Sequence, residues 1–332
     1  MNGLIGKTPL IALLFAVVLM SGCTSQEAQK VYHVGILSGL NLFSGIADSF
    51  RAEMTNLGYA EGENIIYDYQ KTNFEPDKEK QILKKFASDK VDLIFGFNTE
   101  VALEAKEATK GTGIPVVFAN AFTEGNTLVE SVRQPGGNIT GVRYPSTDVA
   151  VKRFEILHEL VPQAKRIWLP YQKGYPAVPA QLELVRPVAS SLGLTLIEFP
   201  SENLTHLQAE LERRSQSGDM GFDAVLLIPE SLSTTKAAFD AIANLTRERK
   251  IPVGGSRIVT ENYGTLFAVT VNNTEIGIQA ARLADKILRG TRAGTIPVVS
   301  PESLVVINYK VAQELGVNVS EGLLAKADEI IR

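Results

Sequence analysis

Val91-Asp92-Leu93-Ile94-Phe95-Gly96-Phe97, followed by Asn98-Thr99 and by Glu100 to Lys110, then Gly111, Gly113 and Ile114-Pro115-Val116-Val117-Phe118, decides the fold. The apolar run is too continuous for a strand with one wet face and fits a parallel strand covered on both sides. Asn98-Thr99 is helix-capping chemistry, and the segment after it carries Val101, Ala102, Ala105 and Ala108 on one stripe. The two glycines stop the helix. Pro115 falls at the first positions of the next strand, where its missing N–H costs little.

The unit recurs. Phe222-Asp223-Ala224-Val225-Leu226-Leu227-Ile228 leads through Pro229-Glu230-Ser231 into a helical stripe of Ala237, Phe239, Ile242 and Leu245, and then into Ile251-Pro252-Val253. Two copies of one α/β unit predict two similar lobes, each presenting the carboxyl ends of its strands, where open α/β sheets bind ligands. A cleft between the lobes is the expected site.

At 332 residues the chain exceeds what one hydrophobic core organises, and two domains are expected. With 45% hydrophobic residues, 21% charged residues and a net charge of −4, nothing favours nucleic acid as a partner. Residues 1–22 read as an export signal: Lys7 precedes the apolar run Leu10 to Met20, and small residues follow. That run is short for a membrane-spanning helix. Leu19-Met20-Ser21-Gly22-Cys23 resembles a bacterial lipobox, with Met20 where leucine is usual, which implies lipid on Cys23, the chain's only cysteine. Residues 23–30 form a polar tether.

The globular part begins at Val31 with a strand to Ser38, a helix from about Ile46 to Leu57, a strand Ile65 to Gln70 and an amphipathic helix Lys78 to Ser88. After the first unit come a short helix holding Leu128 and Val129, and Pro135-Gly136-Gly137-Asn138-Ile139-Thr140-Gly141-Val142. Those glycines have neither the Walker nor the G-x-G-x-x-G spacing and read as a turn into a crossing strand. A helix Val149 to Val161 ends at Pro162, and a second series follows: strand Arg166 to Pro170, helix Ala180 to Leu192, strand Leu194 to Phe199, helix Leu204 to Ser217. Gly264 to Val271 reads as a strand, Glu275 to Leu288 as a helix, and Leu304 to Asn308 as a last strand before two short helices. By alternation, Ile167, Leu169 and Tyr171 share one face, and Trp168 faces a covering helix.

Catalytic motifs are lacking. His33, His158 and His206 lie far apart, no H-E-x-x-H, G-x-S-x-G or cysteine pair occurs, and neither metal nor cofactor is expected. Asp92 and Asp223, at strand beginnings, read as structural. Polar and aromatic residues at strand carboxyl ends suit binding: Asn41, Phe43, Asn98, Thr99, Asn120 and Phe122 in the first half, and Tyr171, Lys173, Tyr175, Glu230, Ser231, Ser256 and Arg257 in the second. Rings can sandwich a flat or apolar ligand body, while amides, hydroxyls and helix N-termini hold its polar ends.

Over its mature length the chain resembles the bacterial ABC-transporter substrate-binding lipoproteins related to tryptophan- and tyrosine-binding receptors. The resemblance is carried by Phe50, Leu57-Gly58-Tyr59-Ala60-Glu61-Gly62-Glu63-Asn64, Pro115-Val116-Val117-Phe118, Pro135 to Val142, Val306-Ile307-Asn308, Ala312 and Leu315-Gly316. It implies an α/β fold of the type I periplasmic-binding-protein kind: two Rossmann-like doubly wound lobes with parallel sheets, joined by a three-strand hinge. The lobes are expected at residues 31–144 with 273–302 and at 145–272 with 303–332. Thr99 and Tyr171 match the family's ligand-facing positions. Gln172-Lys173-Gly174-Tyr175-Pro176, however, replaces an Asn-Pro-Gly-Glu type of loop, and Ser231-Leu232 an Asp-Asn pair. A ligand ammonium would therefore need Glu230 or Glu100, and an aromatic amino acid is one candidate among several.

The expected function is a monomeric receptor, anchored by lipid at the periplasmic or cell-surface side of a bacterial membrane, that hands a small solute to an ABC permease. Two alternatives stay open: a ligand sensor for a membrane kinase, and a hydrolase or isomerase using Glu230 or Lys173.

Overall fold

The computed structural model describes residues 3, 30–39, 44–72, 75–233, 235–256 and 263–332. The first sheet contains β1 (Tyr32–Ser38), β2 (Ile65–Lys71), β3 (Leu93–Phe97), β4 (Val116–Ala121) and β5 (Ile139–Arg143), all parallel, in the order β2-β1-β3-β4-β5. β3 is buried along its whole length, as its unbroken apolar run requires. One face carries α2 (Pro76–Ser88) and α3 (Thr99–Ala108), with Phe86 and Val101 pressed so closely on Gly35 and Gly96 that a Cβ on Gly35 would come within 2.6 Å of the Phe86 ring. The other face carries α1 (Ser44–Asn56), where Phe50 stacks on Phe95 at 4.2 Å, and α8 (Asn273–Leu288), which arrives from far along the chain.

The second sheet holds β6 (Arg166–Gln172), β7 (Thr195–Ser201), β8 (Ala224–Leu226) and β9 (Val253–Gly254), parallel, in the order β7-β6-β8-β9. Its helices are α4 (Ala150–Leu160), α5 (Val178–Ser191), α6 (Leu204–Ser215) and α7 (Lys236–Glu248). β10 (Phe267–Val271), β11 (Ser303–Asn308) and β12 (Glu329–Ile331) form a small third sheet, antiparallel then parallel, joined to β9 through Gly255 and Ala268. Two helices, α9 (Tyr309–Leu315) and α10 (Glu321–Lys326), lie between β11 and β12.

The repeated unit is repeated down to its hydrogen bonds. Pro115 O accepts from Ile94 N at 3.0 Å, and Pro252 O accepts from Val225 N at 2.9 Å. Asp92 accepts from His33 N, and Asp223 from Lys165 N and Arg166 N, at the amino ends of the sheets, so both acids are structural. The chain passes between the two α/β lobes three times: at residues 144–149 after β5, at Asn272 between β10 and α8, and at residues 300–302 before β11. Val142 and Val299 bridge, and Arg143 donates from Nε to Ser300 Oγ at 2.7 Å, tying the first crossing to the third.

Three expectations fail locally. No helix forms around Leu128 and Val129: Leu128 is buried, but Asn126 turns the backbone by accepting from Leu128 N, and a Ser131–Gln134 turn follows. Phe222 to Ile228 yields only the three-residue β8, and β12 arises in a tail read as helices alone. Trp168 does face a helix, stacked on Phe222 at 5.0 Å beneath Arg214 of α6.

Candidate functional site

In the first lobe the carboxyl ends of β3 and β4 place Asn98, Thr99, Asn120 and Phe122 together. Asn98 caps α3, its Oδ1 accepting from Val101 N at 3.0 Å, and Thr99 Oγ1 accepts from Phe122 N at 3.0 Å. Both asparagines have positive φ, +85° at Asn98 and +51° at Asn120, a region asparagine tolerates better than most residues. Asn98 Nδ2 and Asn120 Oδ1 are buried with no partner.

In the second lobe Tyr175, Glu230, Ser231 and Ser256 gather at the carboxyl ends of β6, β8 and β9. Glu230 is 3% exposed and its carboxylate accepts from Leu232 N at 2.7 Å and Ser233 N at 2.5 Å. Burial raises its pKa against the pull of those donors. Its oxygens therefore hold its own loop. Ser256 Oγ donates to Leu227 O at 3.3 Å.

The two groups meet. Glu100, on the first turn of α3, accepts from Ser231 Oγ at 3.1 Å and from Tyr175 Oη at 3.4 Å. The Tyr175 ring stands edge-on to Phe122 at 5.8 Å, and Phe122 stands edge-on to Tyr144 at 5.5 Å. Gly125 lies so near Pro176 that a Cβ there would be 2.1 Å from the proline carbonyl. The lobes are thus closed on each other. Burial, with Glu100 nearby, pushes the Tyr175 phenol well above its ordinary range.

Tyr171 and Lys173 stand apart from this group. β6 runs to Gln172, two residues further than its apolar run indicates, so Tyr171 is still a strand residue on the Leu169 face. Its hydroxyl donates to Glu198, itself paired with Arg186 of α5. Lys173 is 63% exposed in its side chain and pairs with Glu202 at 3.1 Å. Asn41, Phe43, Arg257 and Cys23 lie outside the described residues. Among the described residues no cluster of His, Cys, Asp or Glu is arranged to hold a metal ion, and no helix is long and apolar enough to cross a membrane.

One buried residue escaped sequence reasoning. Arg153 of α4 is 0% exposed and donates to Tyr144 Oη at 2.7 Å and to Val269 O at 3.0 Å, with Nη1 unpartnered. The signal was available: Arg153 sits in the apolar stripe Ala150, Phe154, Leu157, Leu160, where a charge is out of place.

Two parallel α/β lobes joined by three crossings and closing on each other define the type I binding-protein class. A Streptococcus pneumonia ABC domain solved in complex with L-Trp superposes with a TM-score of 0.79 at 22% identity, covering 91% of this chain and 100% of that one. A Clostridium difficile substrate binding protein with adhesive properties, in its ligand-free, open structure, gives 0.69 at 23% identity, covering 91% and 99%. The tyrosine-binding protein of Clostridioides difficile (strain R20291) is 28% identical over 261 residues, 78% of this chain and 73% of that protein. Residues 35–331 match the family described as ABC transporter substrate binding protein, and the chain belongs to that family. It is a solute-binding protein of an ABC transporter, and the family is one of receptors.

Proposed function

We propose that the ligand is a small solute with a flat or apolar body, of the aromatic amino-acid kind, taken up between Phe122 and Tyr175. The observation that carries this reading is the pairing of unpartnered buried amide atoms, Asn98 Nδ2 and Asn120 Oδ1, with a row of rings at the line where the lobes meet. A donor and an acceptor without partners are costly in a buried place unless a ligand completes them. The 28% identical tyrosine-binding relative and the L-Trp complex support the same ligand class. Thr99, Ser231 and Ser256 belong to the proposed contact set, and Asn41, Phe43 and Arg257, outside the described residues, are proposed members of it.

The lobes are taken as residues 31–144 with 273–302 and 145–272 with 303–332. Residues 1–22 are proposed to be a cleaved export signal and Cys23 the lipid-bearing first residue of the mature protein. The monomer then binds solute outside the cytoplasmic membrane and presents it to the permease, and no reaction is catalysed. Two experiments test this: small-angle scattering with and without L-tyrosine or L-tryptophan, for which unchanged profiles at saturation contradict the reading, and membrane fractionation of Cys23→Ser, for which undiminished membrane retention does so.

A further inference from the structure

Arg153 is the one buried guanidinium in the described residues that lacks a carboxylate. Arg143 pairs with Glu124 at 3.0 Å and with Asp148, and Arg214 pairs with Glu210 at 2.6 Å. Arg153 has only two neutral acceptors, Val269 O and the Tyr144 hydroxyl oxygen, and its Nη1 donates to nothing. A fully buried cation without a counter-charge is strongly unfavourable, and such groups are found paired. Because Tyr144 Oη accepts from Arg153, its own O–H proton is left over. Ser146 Oγ, on the same crossing, is 0% exposed and also unpartnered. Three donors around one crossing therefore want an acceptor, and the local charge to be balanced is positive.

The place matters as much as the charge. Tyr144 and Ser146 belong to the first crossing between the lobes, and Val269 lies on β10, the strand that feeds the second. Arg153 thus ties the first crossing to the strand that feeds the second. Tyr144 is also the first ring of the row that continues through Phe122 to Tyr175 and ends at Glu100.

We propose that Arg153, with Tyr144 and Ser146, receives a carboxylate of the ligand at the floor of the inter-lobe cleft. This rests on the receptor reading above and narrows it: the ligand body lies along Phe122 and Tyr175, and its anionic end points to the crossings. Desolvation by burial lowers the basicity of Arg153, and a neighbouring anion acts in the opposite direction.

The test is calorimetry on the full chain with matched solutes that differ in the carboxylate: L-tyrosine and tyramine, L-tryptophan and tryptamine, indole-3-acetate and indole-3-acetamide, benzoate and benzamide. Neutral sugars and nucleobases complete the panel. The expected result is that the protein prefers carboxylate members by about ten- to a hundredfold, the worth of a charge-assisted hydrogen bond. Arg153→Met loses that preference while its denaturation midpoint holds or rises, since apolar replacement of an uncompensated buried ion is tolerated. Should Arg153→Met fail to fold, Tyr144→Phe removes one donor alone, and the preference must shrink by about threefold or more. The proposal is overturned if neutral members bind as well as carboxylates, or if the preference survives in the variant. Binding of sugars or nucleobases alone overturns the Arg153 assignment and leaves the receptor reading standing. Silence across the whole panel contradicts both.

Discussion

Tyr175→Ala should shift the ligand-free protein toward its open form. Tyr175 is 8% exposed, yet it belongs to the second lobe and its ring edge and hydroxyl are covered by Phe122 and Glu100 of the first. Contacts made only when the lobes are closed bias the closed form by their whole value. The edge-to-face ring contact contributes about 0.5–1.5 kcal/mol. Cover lost from roughly half the ring adds about 1 kcal/mol, and the long 3.4 Å hydrogen bond adds about 0.5 kcal/mol. The sum, about 2–3 kcal/mol, shifts the open-to-closed ratio by about 30- to 150-fold. Spin labels on cysteines replacing Asp77 and Glu183, exposed residues of different lobes, read the distance in a Cys23→Ser background that leaves no other thiol. A ligand-free distance distribution unchanged by Tyr175→Ala would refute the reasoning.

Gly125→Ala should hold the lobes apart by a wedge rather than by a missing contact, since its Cβ would meet the Pro176 carbonyl at 2.1 Å; calorimetry should find ligand affinity lower by about tenfold or more. Gly277→Ala acts elsewhere, forcing α8 from α1 because the new Cβ lies 2.0 Å from Ser49 Oγ and 2.4 Å from Ile46 O, and urea denaturation should show a loss of about 1–3 kcal/mol. Glu79 gives a pH dependence. Burial raises its pKa, with Glu100 and Glu104 adding to the rise, so the native state holds the proton more tightly than the unfolded chain. Stability from this group is full below the ordinary carboxylate range and is lost as pH rises through that range toward the raised value. Glu79→Gln should therefore compare better with the unsubstituted protein at pH 8 than at pH 4, and an equal difference at both would contradict this.

The sheets were legible because two-sided burial leaves apolar runs that nothing else explains: Leu93 to Phe97 and Val116 to Phe118 could hardly be anything but covered strands. The capping role of Asn98 and the structural roles of Asp92 and Asp223 were likewise legible, since each follows from position in a strand. The site was legible only in part. Thr99, Phe122, Tyr175 and Ser231 meet, but Tyr171 does not join them, because a strand that runs two residues longer turns a loop side chain into a sheet-face one. Glu230 looks like a ligand carboxylate in sequence, and its oxygens accept from two backbone N–H groups of its own loop. Arg153 went unread because amphipathic periodicity treats one charge in an apolar stripe as noise, whereas only the fold reveals that no carboxylate comes to meet it.

The most direct test of the receptor account is to titrate the protein with L-tyrosine, L-tryptophan and their carboxylate-free partners while following the inter-lobe distance, and then to recover the solute. The account predicts binding of one carboxylate-bearing solute per chain, a narrowed closed-state distance distribution, and solute returned chemically unchanged. Binding that leaves the inter-lobe distances untouched, or solute returned as a different compound, would contradict it.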